Sequence, residues 1–132
     1  MAIEFGRVTP VLRIFDEGKA REFYIGFLGF KVDWEHRFEP GLPLYMQVSR
    51  SGLHLHLSEH HGDCTPGSII TVETNSVDDW HAELIGKKYK YNRPGIDHQF
   101  GKSLTVVDPF QNRIRFFEEK SETEGSAEDK PA

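Results

Sequence analysis

AREFYIGFLG, Ala20–Gly29, returns 57 residues later as VDDWHAELIG, Val77–Gly86. At this offset Phe23 falls on Trp80, Phe27 on Leu84, Leu28 on Ile85 and Gly29 on Gly86. Both stretches read as helices. Asp16 caps the first, with Ala20, Phe23, Phe27 and Leu28 on one side and Gly29 as a C-terminal stop; Asn75 or Ser76 caps the second. Before each lies one strand-like run, RVTPVLRIF (7–15) and SIITVET (68–74). In the first, Val8, Pro10, Leu12 and Ile14 share a face. After each lie three more runs: FKVDWEHRF, PLYMQVS and GLHLHLS, then YKYNRP, KSLTVVD and NRIRFF. The pattern is an internal duplication of a βαβββ unit.

The fold class expected is therefore α+β: two tandem βαβββ units forming curved mixed sheets with helices on the convex side. The units run from about 5 to 60 and 67 to 118, in one domain covering 1–118, followed by an acidic tail, 119–132, read as disordered. In the last strand the offset becomes 59: Leu53, Leu55 and Leu57 match Asn112, Ile114 and Phe116, while His54 and His56 match Arg113 and Arg115. Strand side chains alternate, so the leucines face the helix. His54, His56, Arg113 and Arg115 then line the concave side, where two sheets make a ligand cleft.

The bulk numbers exclude several functions. Of the net charge of −5, six acids against two bases lie from Glu118 onward, which leaves 15 acids and 14 bases in residues 1–117. No basic run offers a nucleic-acid face. No apolar run approaches the roughly 20 residues of a membrane span, and MAIEFGRVTP has no signal-peptide core. The single cysteine, Cys64, excludes an internal disulfide and suits a cytoplasmic setting. Ser58, Ser68 and Ser103 have no paired base readable from spacing, and no glycine-rich phosphate loop exists.

HLHLSEHHGD, His54–Asp63, holds four of the seven histidines. His54 and His56, two apart on a strand, could converge on a metal ion. The competing reading is a polar concave wall followed by a His-rich loop, His60 and His61, held by local hydrogen bonds.

FYIGFLGF at Phe23–Phe30 and DPFQN at Asp108–Asn112 carry a resemblance. With the duplication, over roughly residues 5–118, the chain resembles the vicinal oxygen chelate superfamily. That superfamily includes glyoxalase I, extradiol dioxygenases, fosfomycin-resistance enzymes and bleomycin-resistance proteins. Its enzymes place metal ligands on the first and last strands of each unit. The matching positions are Thr9, His56, the neighbourhood of Ser68 and Ile70, and Arg115. Only His56 is a competent ligand, and the Arg115 guanidinium would repel a cation. The resemblance thus implies no metal, no cofactor and no catalytic residue here.

The chain looks most similar to the metal-free bleomycin-resistance-like members of that superfamily. These sequester a large cationic, aromatic drug as two-fold dimers, stacking rings on its planar part and holding its charge with acids. Carried over by position, the ligand-binding residues expected are Asp33, Trp34, Glu35, Phe38, Tyr45, His54, His56, Phe100, Arg113 and Arg115. Trp34 and Phe38 equally suit core or dimer packing. Arg113 and Arg115 favour an anionic or neutral ligand unless Glu73, Asp33 or Glu35 neutralises them. The expected function is non-catalytic binding of an aromatic small molecule in a dimer-interface cleft, bleomycin or a planar metabolite. The alternatives are a glyoxalase-like lyase or isomerase on a small carbonyl compound with atypical ligands, and a structural or regulatory dimer with a vestigial cleft.

Overall fold

The computed structural model describes residues 2–99 and 101–118. The tail expected over 119–132 lies outside them, as does Phe100. The chain forms two compact units, and Asp108–Asn112 belong to the first although they lie late in the sequence. Among the described residues no helix is long and apolar enough to cross a membrane.

The first unit runs β1 (Val11–Arg13), α1 (Glu17–Arg21) continued by a π-helical segment (Glu22–Phe27), β2 (Lys31–His36), β3 (Tyr45–Arg50) and β4 (Leu53–Ser58). Its sheet order is β1-β4-β3-β2, with β1 parallel to β4 and the other pairs antiparallel. The second unit runs β5 (Ile69–Thr74), α2 (Val77–Gly86), β6 (Ile96–Asp97), β7 (Ser103–Val107) and β8 (Arg113–Glu118), in the order β5-β8-β7-β6. The two sheets have the same topology, so the duplicated βαβββ reading holds.

Local chemistry explains the elements. Asp16 caps α1 by accepting from the Lys19 amide at 2.7 Å, and Ser76 caps α2 through the Asp79 amide at 3.1 Å. Gly29 takes φ +79, the left-handed conformation that ends the first helix. The first helix differs from the regular one expected. The Leu28 amide reaches back five residues to the Phe23 carbonyl at 2.9 Å. Tyr24, four residues after Ala20, is buried on the same side together with Phe23, Phe27 and Leu28.

Two strand readings also differ. β1 is three residues long, and Val8, expected on its buried face, is 83% exposed. YKYNRP is a turn and not a strand: Lys88 has φ +53 and the Asn92 amide closes on the Tyr89 carbonyl. The strand at that place is the two-residue β6.

Leu55 and Leu57 are fully buried with Val48 and Met46, on the helix-facing side. A polar network closes this core. The Tyr24 hydroxyl donates to Asp108 Oδ2 at 2.7 Å, and the Asn112 side-chain amide donates to the same oxygen at 2.8 Å and to the Arg13 carbonyl at 2.8 Å. Asp108 Oδ1 accepts the Phe110 and Asn112 amides, each at 2.8 Å. Tyr24 belongs to FYIGFLGF, Asp108 and Asn112 to DPFQN, so the two motifs meet in one buried cluster. Burial and the neighbouring carboxylate push the Tyr24 phenol well above its usual range, so it stays a donor.

Tyr24→Phe should cost about 2 kcal/mol in urea unfolding, the worth of one hydrogen bond to a charged acceptor. Asp108→Asn should cost more, because the new amide would set a donor against the donating Asn112 side chain. Equal or negligible losses would contradict this account of the network.

Candidate functional site

Alternation places Gln47, Ser49, His54 and His56 on the face of the first sheet that points away from the helix. β2 joins this face through a bulge. Val32 pairs with Val48, yet Trp34, only two residues on, pairs with Gln47, so Asp33 is the extra residue. Asp33 and Trp34 consequently share the open face. His36, opposite Tyr45, follows. Glu35 is thrown to the other side, where it pairs with Arg21 of α1 at 2.9 Å. Glu35, named among the ligand-binding residues expected, therefore lies on the side of α1 and not beside Asp33, where strict alternation would have put it.

A hydrogen-bond chain crosses three strands of this face. Gln47 Nε2 donates to Asp33 Oδ2 at 3.0 Å. The other Gln47 atom, Oε1, can only accept, and it lies 3.0 Å from His56 Nε2. His56 therefore carries its proton on Nε2. Nδ1 is left bare, and the Tyr45 hydroxyl, 2.7 Å away, donates to it. Every donor in the series Tyr45, His56, Gln47 points toward Asp33.

Charge states follow the same logic. Hydrogen bonds from Gln47 and Ser49 hold the Asp33 carboxyl below its usual value. Burial, then the nearby Arg7 and His54, lower His56, which keeps it neutral. Burial and the charges of Asp63 and Cys64 raise the Tyr45 phenol.

Aromatic rings frame the chain. Trp34 stacks on Tyr45 at 5.9 Å with an interplanar angle of 7°, and His56 meets Trp34 edge-on at 5.2 Å. Trp34 keeps 42% of its surface open. Phe38 is 73% exposed and forms a second group with His36 and His60, at 4.9 and 6.1 Å. Sequence reasoning did not single out Gln47, His36 or His60 as wall residues. Their alternation with buried Met46 and Val48, or their place after LHLHLS, was the available signal.

His54 donates from Nδ1 to the Gly52 carbonyl at 3.2 Å and turns Nε2 to the Arg7 guanidinium, also 3.2 Å away. The His60–Asp63 loop is tied by Ser58, whose hydroxyl donates to Asp63 at 2.6 Å and accepts the His60 amide at 3.0 Å. Among the described residues no group of three or more His, Cys, Asp or Glu side chains is placed to hold a metal ion. Cys64 is half-buried, and burial raises its thiol.

Arg113 and Arg115 lie in the second unit, exposed on the side of β8 opposite buried Ile114 and Phe116. Arg115 pairs in register with Thr71 and Thr105. Of the acids named as their possible partners, Asp33 is engaged by Gln47 and lies 3.9 Å from Lys31, and Glu35 is held by Arg21.

The chain matches a family model described as glyoxalase superfamily protein over residues 1–123. No curated protein matches it. Among solved structures it is similar to TnmS3, an antibiotic binding protein from Streptomyces sp. CB03234: 20% identity, TM-score 0.69, 90% of this chain and 100% of that one. A bleomycin-binding protein from Streptomyces verticillus, complexed with copper(II)-bleomycin, shares 24% identity over 90% of this chain and 100% of its own, with a TM-score of 0.68. A member of the glyoxalase/bleomycin resistance protein/dioxygenase superfamily from Sphaerobacter thermophilus gives 20%, 0.62, 87% and 98%. At these identities the likeness shows the shared fold alone. With its duplicated βαβββ topology and a family match spanning most of its length, the chain belongs to the glyoxalase superfamily.

Proposed function

We propose that this protein binds and sequesters a planar, donor-bearing aromatic small molecule on the Trp34 wall of its first unit, without converting it. The observation that carries this reading is the direction of the Tyr45–His56–Gln47–Asp33 chain. Because each donor is used internally, the groups left beside the open indole are chiefly acceptors: the Asp33 carboxylate and the Tyr45 oxygen. A flat ligand stacked on Trp34 is held best if it carries N–H, O–H or cationic groups. Two structural neighbours, an antibiotic binding protein and a bleomycin-binding protein, support a binding role of this kind.

This reading revises the ligand preference expected from Arg113 and Arg115. Those arginines favour an anion, whereas the wall around Trp34 favours a donor or a cation. Phe38 and His54 flank the wall and extend its contact area.

The proposed assembly is a homodimer in the cytoplasm, with the ligand site at an interface between two copies. Residues 2–10 form no strand or helix, and Ile3, Phe5 and Val8 are 84%, 94% and 83% exposed. Three apolar side chains so open to water in one short arm fit a surface that a second copy covers. Light scattering should report a dimer, and changing Ile3 and Phe5 to Ser should shift it toward monomer. A wild-type monomer at micromolar concentration would refute the assembly.

Calorimetric titration with metal-free and copper-loaded bleomycin tests the binding reading. Binding is expected, weakened about tenfold or more by Trp34→Ala, which corresponds to the loss of about 1.4 kcal/mol of stacking. Asp33→Asn should weaken it too. No heat with either form of the drug at high micromolar concentration, or full affinity in Trp34→Ala, would count against it.

Acid should loosen the wall. The folded value of His56 lies below its ordinary 6.5, so the unfolded chain takes up this proton first. The contribution is whole above about pH 6.5 and falls as pH drops below it. Asp33, lowered from 3.8, acts in the same direction at more acidic pH. Thermal unfolding from neutral pH to about pH 5 should show a shallower decline in His56→Gln than in the wild type.

A further inference from the structure

Arg13 ends β1 and is only 8% exposed. Its Nη1 donates to the Ile14 carbonyl at 3.0 Å and reaches the Ser58 carbonyl at 3.4 Å. Its guanidinium carbon sits 4.4 Å from the centre of the Phe15 ring. Among the described residues no ion pair is made by Arg13, and its Nε and Nη2 find no acceptor. A largely buried guanidinium without a counter-ion gains from an anion that can reach its unpaired edge.

The side chain borders an open depression of about 450 Å³ in the first unit, lined also by Phe15, Glu17, Arg37, Leu42 and Glu59. The acids there are already matched. Arg37 pairs with Glu17 and lies 3.9 Å from Glu59, and Arg21 holds Glu17 at 2.7 Å. Glu59 is further fixed by the Leu44 amide at 2.9 Å. Of the charges around the depression, the one on Arg13 alone lacks an opposite partner. The rim is apolar: Phe15 is 57% and Leu42 40% exposed.

We propose that this depression is a second binding site, for a small organic carboxylate. The acid group takes the free edge of the Arg13 guanidinium, whose planar fork fits a carboxylate, and an apolar or aromatic body covers Phe15 and Leu42. The site uses no residue of the Trp34 wall and is independent of the function proposed there.

The probe is benzoate, with benzamide as its neutral counterpart and inorganic phosphate as the non-organic anion, titrated into the full chain and followed by amide NMR shifts. Saturable benzoate binding is expected, with shifts at Arg13, Phe15 and Leu42, and about tenfold weaker binding of both benzamide and phosphate. Arg13→Gln should abolish it. Because Arg13 also ties β1 to β4, Leu42→Glu provides a second variant on the exposed rim; its carboxylate should compete for Arg13 and lower benzoate affinity about tenfold with the fold intact. Trp34→Ala should leave benzoate binding unchanged. The proposal is overturned by non-saturable benzoate shifts, by benzamide or phosphate binding as tightly as benzoate, or by full benzoate affinity in Leu42→Glu.

Discussion

A single buried carboxylate, Asp108, organises the first unit. It is 2% exposed, and four donors converge on its two oxygens: the Tyr24 hydroxyl, the Asn112 side chain, and the Phe110 and Asn112 amides. A carboxylate so enclosed is tolerable only if all its strong acceptor capacity is filled. That requirement reaches far along the chain. It demands a tyrosine at position 24, buried on the helix face that Ala20, Phe27 and Leu28 share. It demands the tight 108–112 turn, with Gln111 at φ +77. Asn112 then passes the constraint to β1 by donating to the Arg13 carbonyl. Two motifs 84 residues apart are thus halves of one hydrogen-bonded object.

Asp33 plays a comparable part on the open face. Its charge decides which way the Gln47 amide is turned, Gln47 decides the tautomer of His56, and His56 decides that Tyr45 donates. Three polar side chains acquire one orientation from one exposed anion. The arrangement needs the bulge, since without it Asp33 and Trp34 would fall on opposite sides of the strand. A one-residue irregularity therefore brings together the acid and the ring on which the proposed recognition rests.

Much of this was legible in the sequence. The duplication was visible because Phe23, Phe27, Leu28 and Gly29 recur as Trp80, Leu84, Ile85 and Gly86, and helix faces must repeat if cores do. The alternation of LHLHLS separates His54 and His56 from Leu55 and Leu57, and β4 keeps that alternation because both its neighbours are strands. Other features escaped for physical reasons. A π turn and a β-bulge each add one residue to a periodic pattern, and periodicity alone cannot say where the addition falls; the bulge at Asp33, which turns Glu35 toward α1, is one such addition. The apolar alternation through Val8 suggested a longer β1, but β4 offers β1 a pairing register only from Val11 to Arg13. YKYNRP has strand-forming tyrosines, yet the left-handed Lys88 and the Asn92 closure turn the chain there. His36 joins the wall because the bulge turns it to the same side as Trp34, and His60 through its ring contacts with Phe38 and Tyr45.

The two units also show how one topology accepts two chemistries. His56 stands in register between Val11 and Gln47, and Arg115 stands between Thr71 and Thr105. The backbone environment is equivalent, so the fold itself does not choose the side chain. In the first unit Gln47 and Tyr45 surround the ring with an acceptor and a donor, which makes a neutral imidazole with a defined tautomer. In the second, threonines flank a planar guanidinium that offers only donors. The sheet supplies position and orientation, and the identity of a few outward side chains supplies the preference of each face. For that reason the buried half, from Tyr24 to Asp108, carries the fold, while the preference for a ligand lies with the other half: the residues that alternate with the core and never enter it.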